Sequence, residues 1–254
     1  MRTTTRIAAV ALGTATLIPF MGAGIAAAAD GNTTATLRPV ALNNVPASGT
    51  AMVEVSGTRI DVTMAASGLL ADSPHAAHIH FADEARHECP RVSDDSNKDG
   101  QLNTTEGGPA YGDIVVSLTK TGDTSPKSGL AVDRFDTAPG GELKYQRGSI
   151  NVSPDVAQAI TNGESVVVIH GVDHNGNGKY DGDKKSDLDP NLPTEATDPA
   201  VCGVLRAAPA GGMDTGAGGT SDTTDEGMLL LGGGLLLAAA GTGTLTARKV
   251  RNRA

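Results

Sequence analysis

The sequence predicts an all-β protein, an antiparallel β-sandwich of about eight short strands formed by residues 30–207. Short segments recur in which apolar and polar residues alternate, as in half-buried strands. Turn-forming Gly, Pro, Asn and Asp residues separate these segments. The chain has no Trp, 3 Tyr and 3 Phe, so a core has to be built from aliphatic side chains.

The strand pattern occurs in the segments 34–42, 51–56, 58–65, 75–81, 113–119, 143–152, 165–170 and 201–207. The second and third form the clearest hairpin, because Ser56-Gly57 provides a turn between them. Alternation predicts that five hairpin side chains face the core. These side chains are Val53, Val55, Ile60, Val62 and Met64.

One short helix is expected before the seventh segment. Ser153 is a typical N-cap, Pro154 favours the first helical position, and Gly163 ends the helix. Two long stretches, 83–112 and 171–200, are too polar for strands. Ordered loops of that length need a specific reason for their order.

The N-terminus has the pattern of a secretory signal, residues 1–29. Arg2 and Arg6 precede an apolar run over 7–18, and four alanines at 26–29 lead to a predicted cleavage between Ala29 and Asp30. A retained membrane helix is the alternative, but the run is short and ends in small residues.

The C-terminus has the pattern of a surface anchor. A flexible Gly/Ser/Thr/Asp stalk is predicted over 208–227, followed by an apolar segment over 228–247, about the ~20 residues of a bilayer span. The basic tail 248–254 would stay cytoplasmic, which places the body outside the cell. This order resembles a sortase-type cell-wall sorting tail of Gram-positive bacteria without its LPxTG motif. A soluble, secreted protein is the alternative.

The charge balance argues against a nucleic-acid role. The signal and tail hold six of the 20 basic residues and none of the 29 acidic ones, so the exported part is strongly acidic. Phosphate backbones require the opposite sign, and few aromatic residues are present to stack on bases.

The chain has two cysteines, Cys89 and Cys202. In an oxidising compartment they are expected to form a disulfide, with free thiols as the alternative.

The histidines suggest a metal site. His78 and His80 flank Ile79, and a strand places both imidazoles on one face. His170, on a distant predicted strand, could complete a site, since neutral imidazole is the commonest ligand for copper and zinc. The alternative is a hydrogen-bonded cluster without metal.

The stretch 95–106 matches the twelve-residue EF-hand calcium loop at its diagnostic positions. Its predicted calcium ligands are Asp95, Asn97, Asp99, Gln101, Asn103 and Glu106. Gly107-Gly108-Pro109 predicts that no helix runs far beyond it, so we expect a structural calcium site rather than a sensor. The alternative is a polar turn without calcium.

A second stretch, 173–184, shares the first half of this pattern. Its candidate calcium ligands are Asp173, Asn175, Asn177, Lys179 and Asp181. Lys184 stands where the bidentate acid belongs, so Asp181 or Asp183 would have to compensate. A cluster of Asn-Gly turns is the alternative.

Together these residues resemble the copper/zinc superoxide dismutases and the related CHRD (chordin-like) domains of bacterial surface proteins. The similar motifs, in the family's order, are His75-Ala76-Ala77-His78-Ile79-His80, Cys89, Gly112-Asp113, Val167-Val168-Ile169-His170 and Val201-Cys202-Gly203-Val204. The resemblance implies a Greek-key sandwich, with copper at His78, His80 and His170. His87 is the proposed fourth ligand, and His75 and His174 are the other candidates.

The chain departs from the family at two places. No histidine lies between Cys89 and His170, so the bridging histidine and the other zinc histidines are missing, and zinc is not expected. Pro199 stands where the family has an arginine that guides superoxide.

The sequence therefore favours an exported, surface-anchored, calcium-stabilised CHRD-like metal-binding domain with weak or no catalytic activity. The alternatives are a zinc-less copper superoxide dismutase and a metal-buffering protein. The cell wall or membrane is the expected partner of the tail; the sequence predicts no particular protein partner or oligomeric state.

Overall fold

The computed structural model describes residues 29–208. The described strands are β1 (Asp30–Pro39), β2 (Ser48–Ser56), β3 (Arg59–Ser67), β4 (Ala77–Phe81), β5 (Asp113–Ser117), β6 (Leu143–Asn151), β7 (Val166–His170), β8 (Pro199–Val204) and β9 (Arg206–Ala207). The helices are α1 (Thr104–Tyr111), α2 (Pro154–Asn162) and α3 (Thr194–Thr197). Four short 3₁₀ turns lie in the connecting loops.

The strands form one curled antiparallel sheet in the order β5-β4-β7-β8-β1-β2-β3-β6, with β9 beside β1. Strand β1 joins the two halves, because most of it pairs with β2 while Arg38 and Pro39 pair with β8. The core contains side chains from both halves, including Val53 and Ile60 from one and Ile79 and Val167 from the other. The all-β sandwich predicted from the alternating segments is confirmed.

The hairpin β2–β3 follows the predicted alternation. The five core positions expected there are all buried, and the solvent-facing residues between them are exposed. Gly57 has φ 61°, which suits the tight turn that joins Ser56 to Arg59. Strand bounds differ by a few residues: β4 begins at Ala77, and the last predicted strand is divided into β8 and β9.

The predicted helix is confirmed as α2. The Ser153 hydroxyl accepts a hydrogen bond from Val156 N at 3.3 Å, Pro154 opens the helix, and Gly163 ends it at φ 79°. Each feature satisfies a local backbone requirement, so the sequence was sufficient to place it.

Helix α1 is an element that the sequence did not predict. It ends five residues beyond the first acidic stretch, so the prediction that no helix runs far beyond that stretch holds. Helix α1 starts inside residues 95–106 and runs to Tyr111 through Pro109. A reciprocal cap stabilises its first turn: Asn103 Oδ1 accepts from Glu106 N at 2.9 Å, and Glu106 Oε2 accepts from Asn103 N at 3.2 Å. The helix ends at Tyr111, two residues after Pro109, and Gly112 is its C-cap.

Strands β4 and β7 are buried on both faces, unlike the hairpin. Ile79 and Ile169 point into the sandwich core. The opposite face, which carries His78, His80 and His170, is covered by the long connections after β4, β5 and β7. This second buried layer is where the histidines lie.

The predicted disulfide between Cys89 and Cys202 is confirmed. It ties the loop after β4 to strand β8, across 113 residues of sequence.

Within residues 29–208 no helix is both long and apolar enough to span a bilayer. The predicted signal, stalk, apolar segment and basic tail lie outside the described residues, except for their boundary residues.

Candidate metal centre

Neighbouring strands bring the three histidines together. His78 and His80 lie opposite Val168 and Val166 in the β4–β7 ladder, and His170 ends β7 with its backbone N–H on Ala76 O at 2.8 Å. The period of two puts all three rings on the face away from the sandwich core.

The three rings converge on one point. Each offers one nitrogen, and these nitrogens lie within 4.8 Å of one another. Ring centroids are 5.0 Å apart for His78 and His170, 5.5 Å for His78 and His80, and 5.9 Å for His80 and His170. The residues are only 1–3% exposed, so the group is closed off from bulk water.

Backbone carbonyls hold the other nitrogen of each ring. His78 Nε2 donates to Gly129 O at 3.1 Å, His80 Nδ1 to Gly112 O at 3.0 Å, and His170 Nδ1 to Thr197 O at 2.6 Å. A carbonyl accepts only, so these contacts fix the tautomer of each neutral imidazole. The remaining nitrogens must then be acceptors with free lone pairs.

These three lone pairs have no partner within the protein. His78 Nδ1, His80 Nε2 and His170 Nε2 are buried without a hydrogen bond. A buried unsatisfied acceptor costs roughly 1–3 kcal/mol, so three together need a compensating ligand. Carbonyl-oriented imidazoles are the usual way in which proteins prepare histidines for a metal, and the residues fit a three-nitrogen metal site.

Burial also keeps the rings neutral. Desolvation lowers the pKa of His78 well below its usual value, and the neighbouring His170 and His80 lower it further. Desolvation lowers the pKa of His80 to about 3 and that of His170 to about 4, although carbonyl contacts oppose both shifts. At neutral pH all three imidazoles are therefore free to bind a metal.

Two aromatic residues enclose the group. The ring of Tyr111 lies 4.5 Å from that of His80, and the ring of Phe135 meets His78 edge-on at 5.3 Å. Tyr111 is buried and its hydroxyl donates to Thr104 O at 3.0 Å. The sequence motifs indicated neither packing role, since both residues come from long connections outside the two histidine strands.

The other histidines make separate contacts. His87, the proposed fourth ligand, stacks on Phe81 at 5.5 Å and contacts Ala82 O through Nε2 at 2.9 Å. His75 is buried with Nδ1 2.7 Å from His170 O, and His174 Nε2 is 2.8 Å from Asp198 Oδ2. The structure thus brings together three of the candidates and not His87.

In the first acidic loop, residues 95–106, side-chain oxygens accept hydrogen bonds from backbone N–H groups of the same loop. Asp95 accepts from Asp99 N at 3.2 Å and Gly100 N at 3.0 Å. Glu106 Oε1 accepts from Ser96 N at 3.0 Å and Asn97 N at 3.2 Å. The last carboxylate of the motif therefore reaches back to the start of the loop.

The second acidic loop, residues 173–184, repeats this arrangement with a different carboxylate. Asp173 accepts from Asn177 N at 3.2 Å and Gly178 N at 2.8 Å, matching Asp95 of the first loop. Glu195 Oε1 accepts from His174 N at 3.1 Å, and its Oε2 accepts from Asp181 N at 2.8 Å.

Glu195 thus takes the place in the second loop that Glu106 has in the first. It comes from α3, eleven residues after the position at which the motif requires an acid. The sequence offered Asp181 or Asp183 in place of the missing acid. In the structure Asp181 Oδ1 accepts from the side-chain amides of Asn175 at 3.0 Å and Asn177 at 2.9 Å, and the buried Glu195 is a further carboxylate at this loop. Lys184, which occupies the acid's position, pairs instead with Asp99 of the first loop.

Both acidic loops contact α3, whose Thr197 carbonyl accepts from His170. Thr104, at the start of α1, donates its hydroxyl to Thr197 O at 2.6 Å, the same carbonyl that accepts from His170. Thr105 N donates to Asp187 Oδ2 at 2.8 Å. The short helices α1 and α3 therefore connect the acidic loops to the histidine group.

The fold and site define a β-sandwich with a buried three-histidine centre under two acidic loops. No protein-family model matches the chain, and no curated protein matches it. Among solved structures, the chain is similar to a point mutant of superoxide dismutase 5 from Candida albicans. The identity is 16% and the TM-score 0.36, with 76% of this chain and 99% of that chain covered. A similarity of this size does not establish a family, so function is inferred from the site.

Proposed function

We propose that the chain is an exported metal-binding domain of the superoxide dismutase-like and CHRD-like kind, stabilised by calcium and with weak or no dismutase activity. The supporting observation is the set of three buried imidazole nitrogens, convergent within 4.8 Å and without partners. A hydrogen-bonded histidine cluster would satisfy its nitrogens internally, whereas here one nitrogen of each ring has no hydrogen-bond partner in the protein.

Copper is the metal we propose for His78, His80 and His170. Three neutral imidazoles suit copper, and the motif resemblance assigns copper to these positions. When bound, copper would supply a one-electron redox couple. The protein's own contribution is to keep the rings unprotonated, hold their tautomers through three carbonyls, and limit solvent access.

Two observations favour binding over turnover. The rings are almost fully buried, and Pro199, which stands in place of the arginine expected from the resemblance, pairs with His170 at the strand end. An anionic substrate would reach such a site without electrostatic guidance. The alternative, a zinc-less copper superoxide dismutase, would require rapid superoxide consumption by the copper-loaded protein.

Copper loading of the purified full chain tests the proposal. Electron paramagnetic resonance should show copper coupled to three nitrogens, and the double variant His78→Ala/His80→Ala should lose most of the bound copper. His87→Ala, which removes a histidine outside the group, is the matched control. Equal loading of the double variant and the parent would refute the site, and a superoxide-consumption assay on the same samples separates the two functions.

Calcium is proposed for both acidic loops. The first contains the full motif, and the second has a comparable set of oxygens if Glu195 replaces the missing acid. Bound calcium would order two long connections that otherwise contain little regular structure. Because both loops contact the segment around Thr197, calcium would also stabilise the cover of the histidine group.

Calcium removal by a chelator should lower the melting temperature of the full chain by several degrees, and added calcium should restore it. Glu106→Gln and Glu195→Gln should each weaken calcium binding measured by calorimetry, since each removes one carboxylate charge. Glu54→Gln, on the exposed face of β2, is the control. An unchanged melting temperature would rule out stabilisation by calcium.

Export and display at a Gram-positive-type cell surface complete the proposal, and the disulfide is compatible with an oxidising location. Expression in a Gram-positive host should expose the body to external antibody. Deletion of residues 228–254 should release it into the medium. Retention of the truncated chain in the cytoplasm would contradict export.

A further inference from the structure

Helix α1 is linked to the histidine group at both of its ends. At its start, the Thr104 hydroxyl donates to Thr197 O at 2.6 Å, and His170 Nδ1 donates to the same carbonyl at 2.6 Å. At its end, His80 Nδ1 donates to the carbonyl of Gly112, the C-cap residue, at 3.0 Å. One helix of eight residues is therefore joined to two of the three rings.

The contact at the end of α1 depends on backbone geometry. Gly112 has φ 87°, which glycine adopts without steric cost, and its N–H donates to Gly108 O at 2.8 Å. A Cβ at this position would lie 2.5 Å from the backbone nitrogen of Ala82, the residue that follows β4. Glycine is therefore required where the chain leaves α1 and presents its carbonyl to His80.

The contact at the start of α1 depends instead on one buried side chain, that of Thr104. Its acceptor, Thr197, is the last residue of α3, a helix of four residues, so the Thr197 carbonyl has no partner within that helix. It accepts from the Thr104 hydroxyl and from the His170 ring. The hydroxyl holds the carbonyl in place from α1, and the carbonyl in turn holds the imidazole.

We propose that Thr104 is a positioning residue of the metal centre, which acts on His170 through the Thr197 carbonyl and thereby fixes this ring relative to His80 at the other end of α1. This inference rests on the proposed metal site. A metal binds tightly only when all its ligand nitrogens point at one position, and loss of a group that orients a ligand typically lowers metal affinity by ~10–100-fold. Thr104 therefore contributes to copper affinity without touching the metal.

The test compares the copper affinity of full-chain variants by competition with a chelator of known affinity, with calcium held constant. Thr104→Val keeps the size of the side chain and removes its hydroxyl. It should bind copper about tenfold more weakly than the parent and show altered nitrogen couplings in electron paramagnetic resonance. Thr104→Ser keeps the hydroxyl and should restore both parent values. Thr105→Val, the matched control, removes a hydroxyl from the next and exposed residue of α1 and should bind copper like the parent.

The outcomes separate the hydroxyl from packing and from the metal site. Copper affinity in Thr104→Val equal to or above that of the parent would overturn the role of Thr104 and leave the metal site intact. Weak binding by both Thr104→Val and Thr104→Ser would assign the loss to packing and also overturn it. Thr104→Ala and Thr104→Ser differ by one hydroxyl and add no bulk, so this pair replaces the valine variant if that variant does not fold. A parent without a three-nitrogen copper signal would refute the metal site and the inference together.

Discussion

Acidification from pH 7.5 to 5.5 should destabilise the metal-free protein through its three buried histidines. In the folded chain, burial keeps the pKa of His78 well below its usual value and lowers the pKa of His80 to about 3 and of His170 to about 4. In the unfolded chain each imidazole returns to the ordinary value of 6.5. Between these values the unfolded state binds more protons than the folded state.

The sign follows from this difference. Above pH 6.5 the three histidines are mostly neutral in both states, so they contribute little to the pH dependence of the free energy of unfolding. This free energy falls as the pH drops toward the folded-state pKa values. Integration over the two pH units gives a loss of about 1.4 kcal/mol for each ring, and about 4 kcal/mol for all three. This is a large part of the ~5–15 kcal/mol by which a domain is usually stable.

Urea unfolding followed by circular dichroism at pH 7.5, 6.5 and 5.5 measures this loss in copper-free protein with calcium held constant. Each of His78→Gln, His80→Gln and His170→Gln should reduce the pH-dependent loss by about 1.4 kcal/mol, whatever its effect on total stability. His75, whose pKa burial also lowers, adds a further part of the loss that these three variants leave in place. Val168→Ala, a buried non-titrating change beside His78, should leave the pH dependence unaltered. An unchanged pH dependence in all three histidine variants would show that the rings are already protonated or exposed in the folded protein.

Three further changes test the packing around the site. Ile79→Ala should cost about 2–5 kcal/mol in urea unfolding, yet leave copper loading intact, because this side chain faces the core between the two histidines. Gly107→Ala should lower stability by about 1–3 kcal/mol and weaken copper affinity, since its new Cβ would lie 2.5 Å from the Tyr111 ring. Gly108→Ala, with nothing within 4 Å, should be neutral or stabilising by up to about 1 kcal/mol; equal effects of the two glycine changes would contradict the contact. Replacing both cysteines by serine should cost about 4–5 kcal/mol, given the 113-residue separation, and unchanged urea midpoints would count against this.

Much of the fold was accessible from the sequence. The alternation in β2 and β3 specified their buried faces, and Ser153, Pro154 and Gly163 specified helix α2. These features depend on neighbours within a few positions, where the geometry of a strand or helix relates sequence spacing directly to direction in space. Helix α1 was missed because its reciprocal cap outweighs the glycines and proline that follow it.

The candidate centre could be anticipated only in part. The pair at 78 and 80 shares a face by strand periodicity, and the motif order suggested His170 as a third member. The contacts that orient these rings for metal binding come from other segments of the chain. They are made by the backbone carbonyls of Gly112, Gly129 and Thr197, and a backbone carbonyl cannot be recognised from the type of its residue. Glu195 was missed for a similar reason, since the linear motif places the acid at position 184.

By itself, the sequence determined the strand class, the aliphatic core, the single cysteine pairing available and the shared face of two histidines. The tertiary structure decided which loops cover that face and which carbonyls orient the rings. The physical reason is that periodicity and caps act over a few residues. Burial, tautomer and access depend instead on groups brought together from distant segments once the two sheet halves and their connections have packed.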